Sequence, residues 1–377
     1  MDITILAYLE PGDEKPDEVV DQVAAALAEA GHKTSLLTIR HDLDDLIRGL
    51  KARKPQLVFN LVESFGDDII GGVMGVAGVL DLLQVPYTGG GPGEIFLQED
   101  KALTKKLLAF EGIRFPDFAT FPANANFETG GNLRMPLFIK PLRMDASIGI
   151  DERSLVRNTQ QMMERVLYIQ KTFGDAALAE EYIEGREFYV GVLGNDELIA
   201  FPPIEMDFSG LKEGSLKVMD SQAKFNTNSE RFHGTKAVVA AIEPELRAKL
   251  QKASIEAYRA LRVCDYGRVD LRLTASRTQR CSIASWRWPS SVGNTVAARR
   301  RGGRKPAARL PPQPDSAERR GTLSTLASLS FALAVASVAL GGVAASGKYE
   351  PRCTKFMASD VTSVVTATIA LVSALRG

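Results

Sequence analysis

Three lysines stand at positions suited to binding a phosphate group. Lys101 begins a predicted helix, Lys140 ends the apolar stretch MPLFIKP, and Lys224 lies in a long polar segment. A lysine ammonium neutralises phosphate oxygens as a point charge. The stretch RMDASIGI follows Lys140, and its small residues, Ser147 and Gly149 among them, would let backbone N–H groups approach a phosphate. These residues together predict a nucleoside triphosphate site.

The stretch GRVDLRL supplies a second group of reactive side chains. Arg268 and Asp270 are two positions apart, so on a β-strand both side chains point to one face. Mg²⁺ is held by one or two carboxylates plus phosphate oxygens, and Asp270 suits the first ligand position. Arg268 beside it would stabilise an oxyanion. The structural alternative is a surface ion pair, worth less than about 1 kcal/mol.

Acidic residues cluster in the stretch EEYIEGREF. Glu180 and Glu181 precede an apolar pair, and Glu187 comes four residues after Ile183. Such glutamates are commonly surface charges, just as a lysine at a strand end is commonly solvated. None of these positions is specific by itself, and the case for a site rests on their combination.

Composition excludes several other classes of site. The net charge is zero, but residues 1–275 carry 31 Lys+Arg against 42 Asp+Glu, while residues 276–377 carry 15 against 4. The acidic part argues against nucleic-acid binding through residues 1–275. There is no G-x-S-x-G, P-loop or G-x-G-x-x-G motif. The start of the chain also lacks the basic residues of a signal peptide.

Histidine and cysteine chemistry is not indicated either. The three histidines show no triad or metal-ligand spacing, and the three cysteines are interpreted as reduced, unpaired thiols of a cytosolic protein. These residues are His32, His41, His233, Cys264, Cys281 and Cys353.

Strands and helices alternate along the first 84 residues. Strands are predicted at 3–9, 35–39 and 57–61, and helices at 17–31, 43–53 and 71–84. This alternation predicts a parallel sheet with helices on its faces.

The later elements would position the reactive residues. A turn-rich hinge is predicted at 85–93, helices at 99–116, 158–172 and 243–261, and strands at 117–121, 135–141, 177–183, 187–193 and 267–274. On the last strand, Val269, Leu271 and Leu273 share one face. Residues 207–233 are polar with little periodicity, which predicts a long loop of the kind that forms functional lids.

The order of these stretches resembles the ATP-grasp superfamily, and within it the D-alanine–D-alanine ligase family. The resemblance covers about residues 1–275 and is carried by VPYTG, DKALTKKLL with GIRFP, PLFIKP, EEYIEGREF, AKF and GRVDLRL, in that order. It implies an α/β and α+β ATP-grasp fold with an N-terminal Rossmann-like domain. The expected units are 1–95 (Rossmann-like), 96–190 (central ATP-grasp), 191–275 (C-terminal ATP-grasp) and a basic tail, 276–377.

The resemblance also implies a role for each candidate residue. Lys101 and Lys140 would contact ATP phosphates, Ser147 and Gly149 would lie in the loop that closes over them, and Lys224 would reach the γ-phosphate from a lid. Glu180, Glu181, Tyr182 and Ile183 would line the adenine pocket, and Glu187 would hold the ribose. Arg268 would stabilise a tetrahedral intermediate, and Asp270 would bind Mg²⁺ or Mn²⁺.

The implied reaction is phosphorylation of a carboxylate by ATP followed by attack of an amine, which gives an amide, ADP and phosphate. Its product would be a D-alanyl dipeptide for peptidoglycan precursors of the cell wall, made in the cytoplasm. The expected partners are ATP and D-alanine or similar amino acids, without nucleic acid, and a homodimer is left open. The alternatives are a ligase for another amino-acid pair and a catalytically impaired ATP-binding protein.

Three departures from the family pattern bear on these expectations. The lid has Lys224-Phe225 where the family has Lys-Tyr, and FNLVES lacks the family's histidine. The family also completes its Mg²⁺ sites with a Glu-x-Asn motif on a strand after the first metal aspartate. Here no acidic residue stands between Asp270 and Asp315. The absence of that strand would leave an unpaired sheet edge beside residues 268–273.

A change of reading frame near Ala275–Thr278 is our hypothesis for this divergence. Shifting the frame across SWRWP gives a Leu-Glu pair if Ser285 and Arg287 use AGY and AGR codons. Translating the gene in every frame tests it. On this hypothesis the tail is an aberrant segment, disordered or helical. The competing interpretations are a membrane anchor in the uncharged segment 322–347, which follows Arg319-Arg320, and a basic nucleic-acid arm.

Overall fold

The structure is a computed structural model that describes residues 1–9, 12–16, 18–66, 69–122, 128–129, 133–144, 147–274 and 281–287. These residues form three sheets with helices packed on them. The apolar segment 322–347 lies outside the described residues. Within the described residues, no helix is both long and apolar enough to cross a membrane.

The first sheet is parallel, as predicted, in the order β2-β1-β3. Its elements are β1 (Asp2–Tyr8), α1 (Glu18–Glu29), β2 (Lys33–Ile39), α2 (Leu43–Arg53), β3 (Leu57–Leu61) and α3 (Ile69–Leu82). Helix α1 packs on one face of the sheet, and α2 and α3 pack on the other. Strand β1 is buried from Ile3 onward and is mostly apolar, as expected where both faces of a strand are covered.

The predicted turn-rich stretch is irregular over residues 85–91, and two helices rather than one follow it before the second sheet. They are α4 (Pro92–Glu99) and α5 (Lys101–Phe110). Pro92 is the first residue of α4, where proline costs no hydrogen bond. The Asp100 carboxylate then accepts from the backbone N–H groups of Ala102 and Leu103, which starts α5 anew.

The second sheet is antiparallel, in the order β5-β4-β8-β6-β7. Its elements are β4 (Phe118–Phe121), β5 (Glu128–Thr129), β6 (Leu137–Pro141), β7 (Leu155–Val156), α6 (Thr159–Phe173) and β8 (Ala177–Glu181). Val166 and Ile169 of α6 pack against the apolar face of this sheet. Glu180 lies opposite Phe138 and Lys140 opposite Leu178, so Lys140 and Glu180 are diagonal neighbours on adjacent strands.

The third sheet is antiparallel, in the order β12-β11-β9-β13-β14, with β10 on β9. Its strands are β9 (Gly185–Leu193), β10 (Ile199–Ala200), β11 (Ile204–Asp207), β12 (Lys236–Val239), β13 (Tyr266–Thr274) and β14 (Cys281–Arg287). Helix α9 (Pro244–Ala260) covers its apolar face. The predicted long loop is partly ordered as two short helices, α7 (Ser221–Phe225) and α8 (Glu230–His233).

Strand β14 corrects the expectation of an unpaired edge. It pairs antiparallel with β13, and Asp270 lies opposite Ser285 in the register. Ile283 is buried at 2% exposure, and its backbone N–H donates to the Arg114 carbonyl over 2.9 Å. The sheet therefore continues past residue 275 although the stretch lacks the family's acidic motif.

Candidate active site

The antiparallel pair β9 and β13 separates its side chains into an apolar and a polar face. Residues 188, 190 and 192 of β9 and 269, 271 and 273 of β13 are buried in the core under α9. The alternate positions are polar: Glu187 and Tyr189 on β9, and Arg268, Asp270 and Arg272 on β13. The register sets Tyr189 opposite Asp270 and Glu187 opposite Arg272. The predicted period of two is confirmed, and it gathers five polar side chains on one surface.

Arg268 and Asp270 form a two-point ion pair at this surface. Arg268 Nε lies 2.7 Å and Nη2 3.3 Å from the two carboxylate oxygens of Asp270. The guanidinium also lies over the Tyr189 ring, 4.4 Å from its centroid. Burial opposes the charge of Arg268, but the attraction of Asp270, Tyr189 and Glu187 together outweighs burial and holds the arginine pKa above its usual value. The pair is therefore largely buried, unlike the exposed pair that the structural alternative assumed.

Glu187 is held by two neighbours on the same surface. The Tyr189 hydroxyl donates to Oε1 and Arg272 Nη2 donates to Oε2, each over 2.7 Å. Burial raises the pKa of Tyr189 well above its ordinary value, and the charge of Glu187 adds to the shift. Tyr189 therefore stays protonated and acts as a donor.

A second cluster surrounds Glu180 at the end of β8. The ammonium of Lys105 lies 3.0 Å from one carboxylate oxygen, and that of Lys140 lies 2.8 Å from the other. Burial alone would raise the pKa of Glu180, but the two lysines lower it to about 2. Burial lowers the pKa of Lys105, which is 2% exposed. The cluster is a buried, ionised group with two cations around one anion.

Lys101 is placed beside the loop that follows β6. Its ammonium donates to the carbonyls of Leu142 and Met144 over 3.0 and 2.9 Å. Gly149 in the same loop has φ +71°, and a Cβ there would lie 2.8 Å from both Pro141 and Phe173 side chains. Glycine is required at this position, as a closely packed loop demands.

The loop after β6 touches the segment that precedes α7. The Ser147 hydroxyl donates to the Met219 carbonyl over 2.8 Å. Asp220 caps α7, on which Lys224 stands, and pairs with Arg231 at 2.6 Å. Ser147 and Lys224 thus belong to two segments that are in direct contact.

The connection between β8 and β9 joins the two clusters. Glu181 accepts from the Arg134 backbone N–H over 2.8 Å, and the Tyr182 N–H donates to the Pro136 carbonyl over 3.0 Å. The guanidinium of Arg272 lies 5.6 Å from the centroid of the Tyr182 ring. Ile183 is half-buried in this connection.

Sequence reasoning missed three residues of these clusters: Lys105, Tyr189 and Arg272. Each had a positional signal. Lys105 lies four residues after Lys101, on the same side of a helix. Tyr189 and Arg272 lie two positions after Glu187 and Asp270 on strands, which places them on the same face.

Comparison with known proteins agrees with this architecture. A family model described as the D-ala D-ala ligase C-terminus matches residues 106–281. The chain is 32% identical to the uncharacterized protein y4sG of Sinorhizobium fredii over 281 residues, with 71% of this chain and 78% of that protein covered. It is 30% identical to the D-alanine–D-alanine ligase of Aquifex aeolicus over 254 residues, with coverage of 67% and 78%.

Solved structures show the same fold. The D-alanine–D-alanine ligase of Bacillus anthracis complexed with ATP superposes with a TM-score of 0.54 at 20% identity, covering 75% of this chain and 85% of that one. The VanG D-Ala:D-Ser ligase of Enterococcus faecalis gives 0.53 at 22% identity, covering 76% and 90%. By these matches, the chain belongs to the D-alanine–D-alanine ligase family and has the ATP-grasp fold.

Proposed function

We propose that this protein is an ATP-dependent ligase that forms an amide bond between two amino acids, with D-alanine as the first candidate for both. The observation that carries the proposal is the polar surface of β9 and β13, where Arg268 and Asp270 lie beside Glu187. In such a transfer from ATP, Arg268 would stabilise the oxyanion, Asp270 would hold the metal, and Glu187 would bind the ribose. The expected product is a dipeptide for peptidoglycan precursors, made in the cytoplasm.

The lysines would supply the phosphate site. Lys101 and Lys140 would neutralise the phosphates, and Lys224 would approach the γ-phosphate as its segment closes. The contact between Ser147 and the Met219 carbonyl supports such a closure, because it joins the phosphate loop to the segment before α7. Closing these segments would exclude water from the acyl phosphate formed on the first substrate.

Lys105 and Glu180 would support this site by orienting Lys140. Glu180 holds the Lys140 ammonium at 2.8 Å, so the direction of that lysine is set before a nucleotide arrives. Segment 180–183 would then line the adenine pocket, with Glu181, Tyr182 and Ile183 contributing mainly their backbones. The boundaries 1–95, 96–190 and 191–275 stay proposals for the structural units, and the third must extend through β14.

The proposed metal site would hold one divalent cation. Asp270 supplies one carboxylate, and the described residues contain no group of three or more His, Cys, Asp or Glu side chains arranged to hold a metal. One carboxylate plus phosphate oxygens is sufficient for Mg²⁺. When bound, the cation would neutralise charge on the phosphates, while Arg268 would stabilise the oxyanion on the attacked carboxyl carbon.

The test is nucleotide turnover with defined amino acids. The purified chain is incubated with ATP and Mg²⁺, and ADP release is measured without amino acid, with D-alanine, and with D-serine as a second acceptor. Release that depends on D-alanine, together with a dipeptide detected by mass spectrometry, is the expected result. Release with another amino acid alone would favour the alternative substrate pair.

The second candidate is an ATP-binding protein with impaired turnover. One observation favours it: the position opposite Asp270 on β14 is Ser285, and no acidic residue follows before Asp315. Tight ATP binding by calorimetry without ADP release under any amino acid would support this candidate.

A further inference from the structure

We propose that Arg272 is a positioning residue for ribose recognition, which fixes the Glu187 carboxylate and ties it to the segment before α7. The inference rests on the proposed function, because it takes ATP as the ligand. It adds a specific determinant, since neither the family resemblance nor the strand pattern assigned Arg272 a role.

The Glu187 carboxylate is fixed in direction but keeps capacity to bind. One oxygen accepts from Tyr189 and the other from Arg272, each at 2.7 Å. An ionised carboxylate has about four lone-pair sites, so each oxygen retains one further site. In its contacts with Tyr189 and Arg272, the Glu187 carboxylate acts as the hydrogen-bond acceptor. Its partner must be a donor, and the hydroxyls of a ribose are donors.

Arg272 connects the Glu187 carboxylate to the segment before α7 through a single nitrogen. Nη2 carries two hydrogens, and it donates to Glu187 and to the Lys217 carbonyl, each over 2.7 Å. The residue is 7% exposed, and its guanidinium lies 5.6 Å from the centroid of the Tyr182 ring. Arg272 thus contacts three parts of the proposed site. These are the Glu187 carboxylate, the backbone of the segment before α7, and the Tyr182 ring of the predicted adenine pocket.

The other terminal nitrogen of Arg272 strengthens the case for a ligand. Nη1 is buried and has no hydrogen-bond acceptor within the described part of the chain. A buried donor without an acceptor is costly, so a small movement of the side chain that brought Nη1 to an acceptor on the ligand would be favourable. A ribose hydroxyl that donates to Glu187 keeps lone pairs that could accept from Nη1. A hydroxyl would satisfy both groups, whereas a hydrogen in its place would satisfy neither.

The experiment measures ribose discrimination by calorimetry with Mg²⁺. Binding of ATP, 2′-deoxy-ATP and 3′-deoxy-ATP is compared for the unmodified chain and for Arg272→Met. Loss of a residue that orients a metal ligand typically costs about 10- to 100-fold in affinity, and by analogy we expect ATP binding to weaken by at least about tenfold. Binding of the deoxy analogue that lacks the recognised hydroxyl should weaken less. The ratio of its dissociation constant to that of ATP should therefore fall towards one.

Two further variants keep the result interpretable. Arg186→Met removes an Arg–Glu pair with two contacts of 2.6 Å to Glu205 on the same sheet, and it should leave all three affinities and their ratios unchanged. Arg272→Lys keeps the charge but lacks the planar fork, and it should give an intermediate ratio even if Arg272→Met does not fold. Thermal melts of each variant report folding.

The outcomes separate the inference from the proposed function. Equal loss of affinity for all three nucleotides in Arg272→Met, or an unchanged ratio in both Arg272 variants, overturns the role of Arg272 while ATP binding by the unmodified chain stands. Failure of the unmodified chain to bind ATP overturns the proposed function, and the inference with it.

Discussion

The ammonium of Lys105 lies 3.0 Å from the Glu180 carboxylate, and both side chains are almost fully shielded from solvent. Lys105 lies on α5 and Glu180 lies near the end of β8, so the contact joins a helix to the second sheet. Because the second oxygen of Glu180 holds Lys140, the buried pair also orients a predicted phosphate ligand.

Replacement of Lys105 should destabilise the fold strongly. Lys105→Met leaves Glu180 buried with one cation in place of two, and breaking a buried ion pair costs about 3–5 kcal/mol. Since Lys140 remains, we expect a loss near 3 kcal/mol in the free energy of unfolding, measured by urea denaturation. The control is Lys106→Met on the exposed side of α5, which should change stability by less than about 0.5 kcal/mol. Equal effects of the two variants would contradict the role of the buried pair.

Glu180 should make stability sensitive to acid. Its pKa is about 2 in the folded protein against an ordinary 4.5, so the folded state binds fewer protons than the unfolded state in this interval. The stabilisation from its charge is present above pH 4.5 and is lost as pH falls towards 2. The slope from one such group is at most about 1.4 kcal/mol per pH unit.

The measurement is the unfolding free energy at several pH values between 5 and 2 for the unmodified chain and Glu180→Gln. The unmodified chain should lose stability more steeply, because glutamine does not titrate. Parallel curves for the two proteins would show that the pKa of Glu180 is not shifted in the folded protein.

Asp270 should be required for turnover. Asp270→Asn removes the one carboxylate assigned to the cation, and we expect ADP release to fall at least about 100-fold, equivalent to about 3 kcal/mol of transition-state stabilisation. The dependence of nucleotide binding on Mg²⁺ should also weaken, as measured by titration of the metal at fixed ATP. Asp196→Asn, in the exposed turn after β9, is the matched control and should retain turnover. Unchanged Mg²⁺ dependence in Asp270→Asn would remove Asp270 from the metal site.

The last described strand should contribute to stability. Ile283→Ala removes a side chain that packs in the core under α9, and large-to-small changes of buried isoleucine cost about 2–5 kcal/mol. Ser282→Ala, the neighbouring half-buried position, should cost less than about 1 kcal/mol. Thermal or urea unfolding of the full chain measures both. A neutral Ile283→Ala would mean that β14 does not dock on the core in solution.

Local pattern was sufficient for much of this fold. The mostly apolar run at the start of the chain predicted a buried strand, and the predicted bounds of α2 and β3 agree with the structure. Alternation along residues 267–274 predicted that Arg268 and Asp270 share a face, because the side chains of a strand alternate with period two. The ordered motifs also placed Lys101, Lys140 and Glu187 in the family pattern.

The pairing of β14 with β13 was beyond the reach of these local rules. Strand β14 pairs through backbone hydrogen bonds with an edge that β13 leaves open, and those bonds do not require a particular side-chain pattern. Its stretch is Ser-rich and basic, so composition alone argued against a strand.

The sequence by itself determined the fold class, the order of the site residues and the shared face of Arg268 and Asp270, because each follows from neighbours in the chain. Tertiary structure alone decided that Lys105 and Lys140 converge on Glu180, and that Arg272 meets Glu187 from 85 residues away. The reason is physical: burial removes the water that would solvate these charges, so each must find an opposite charge on another element.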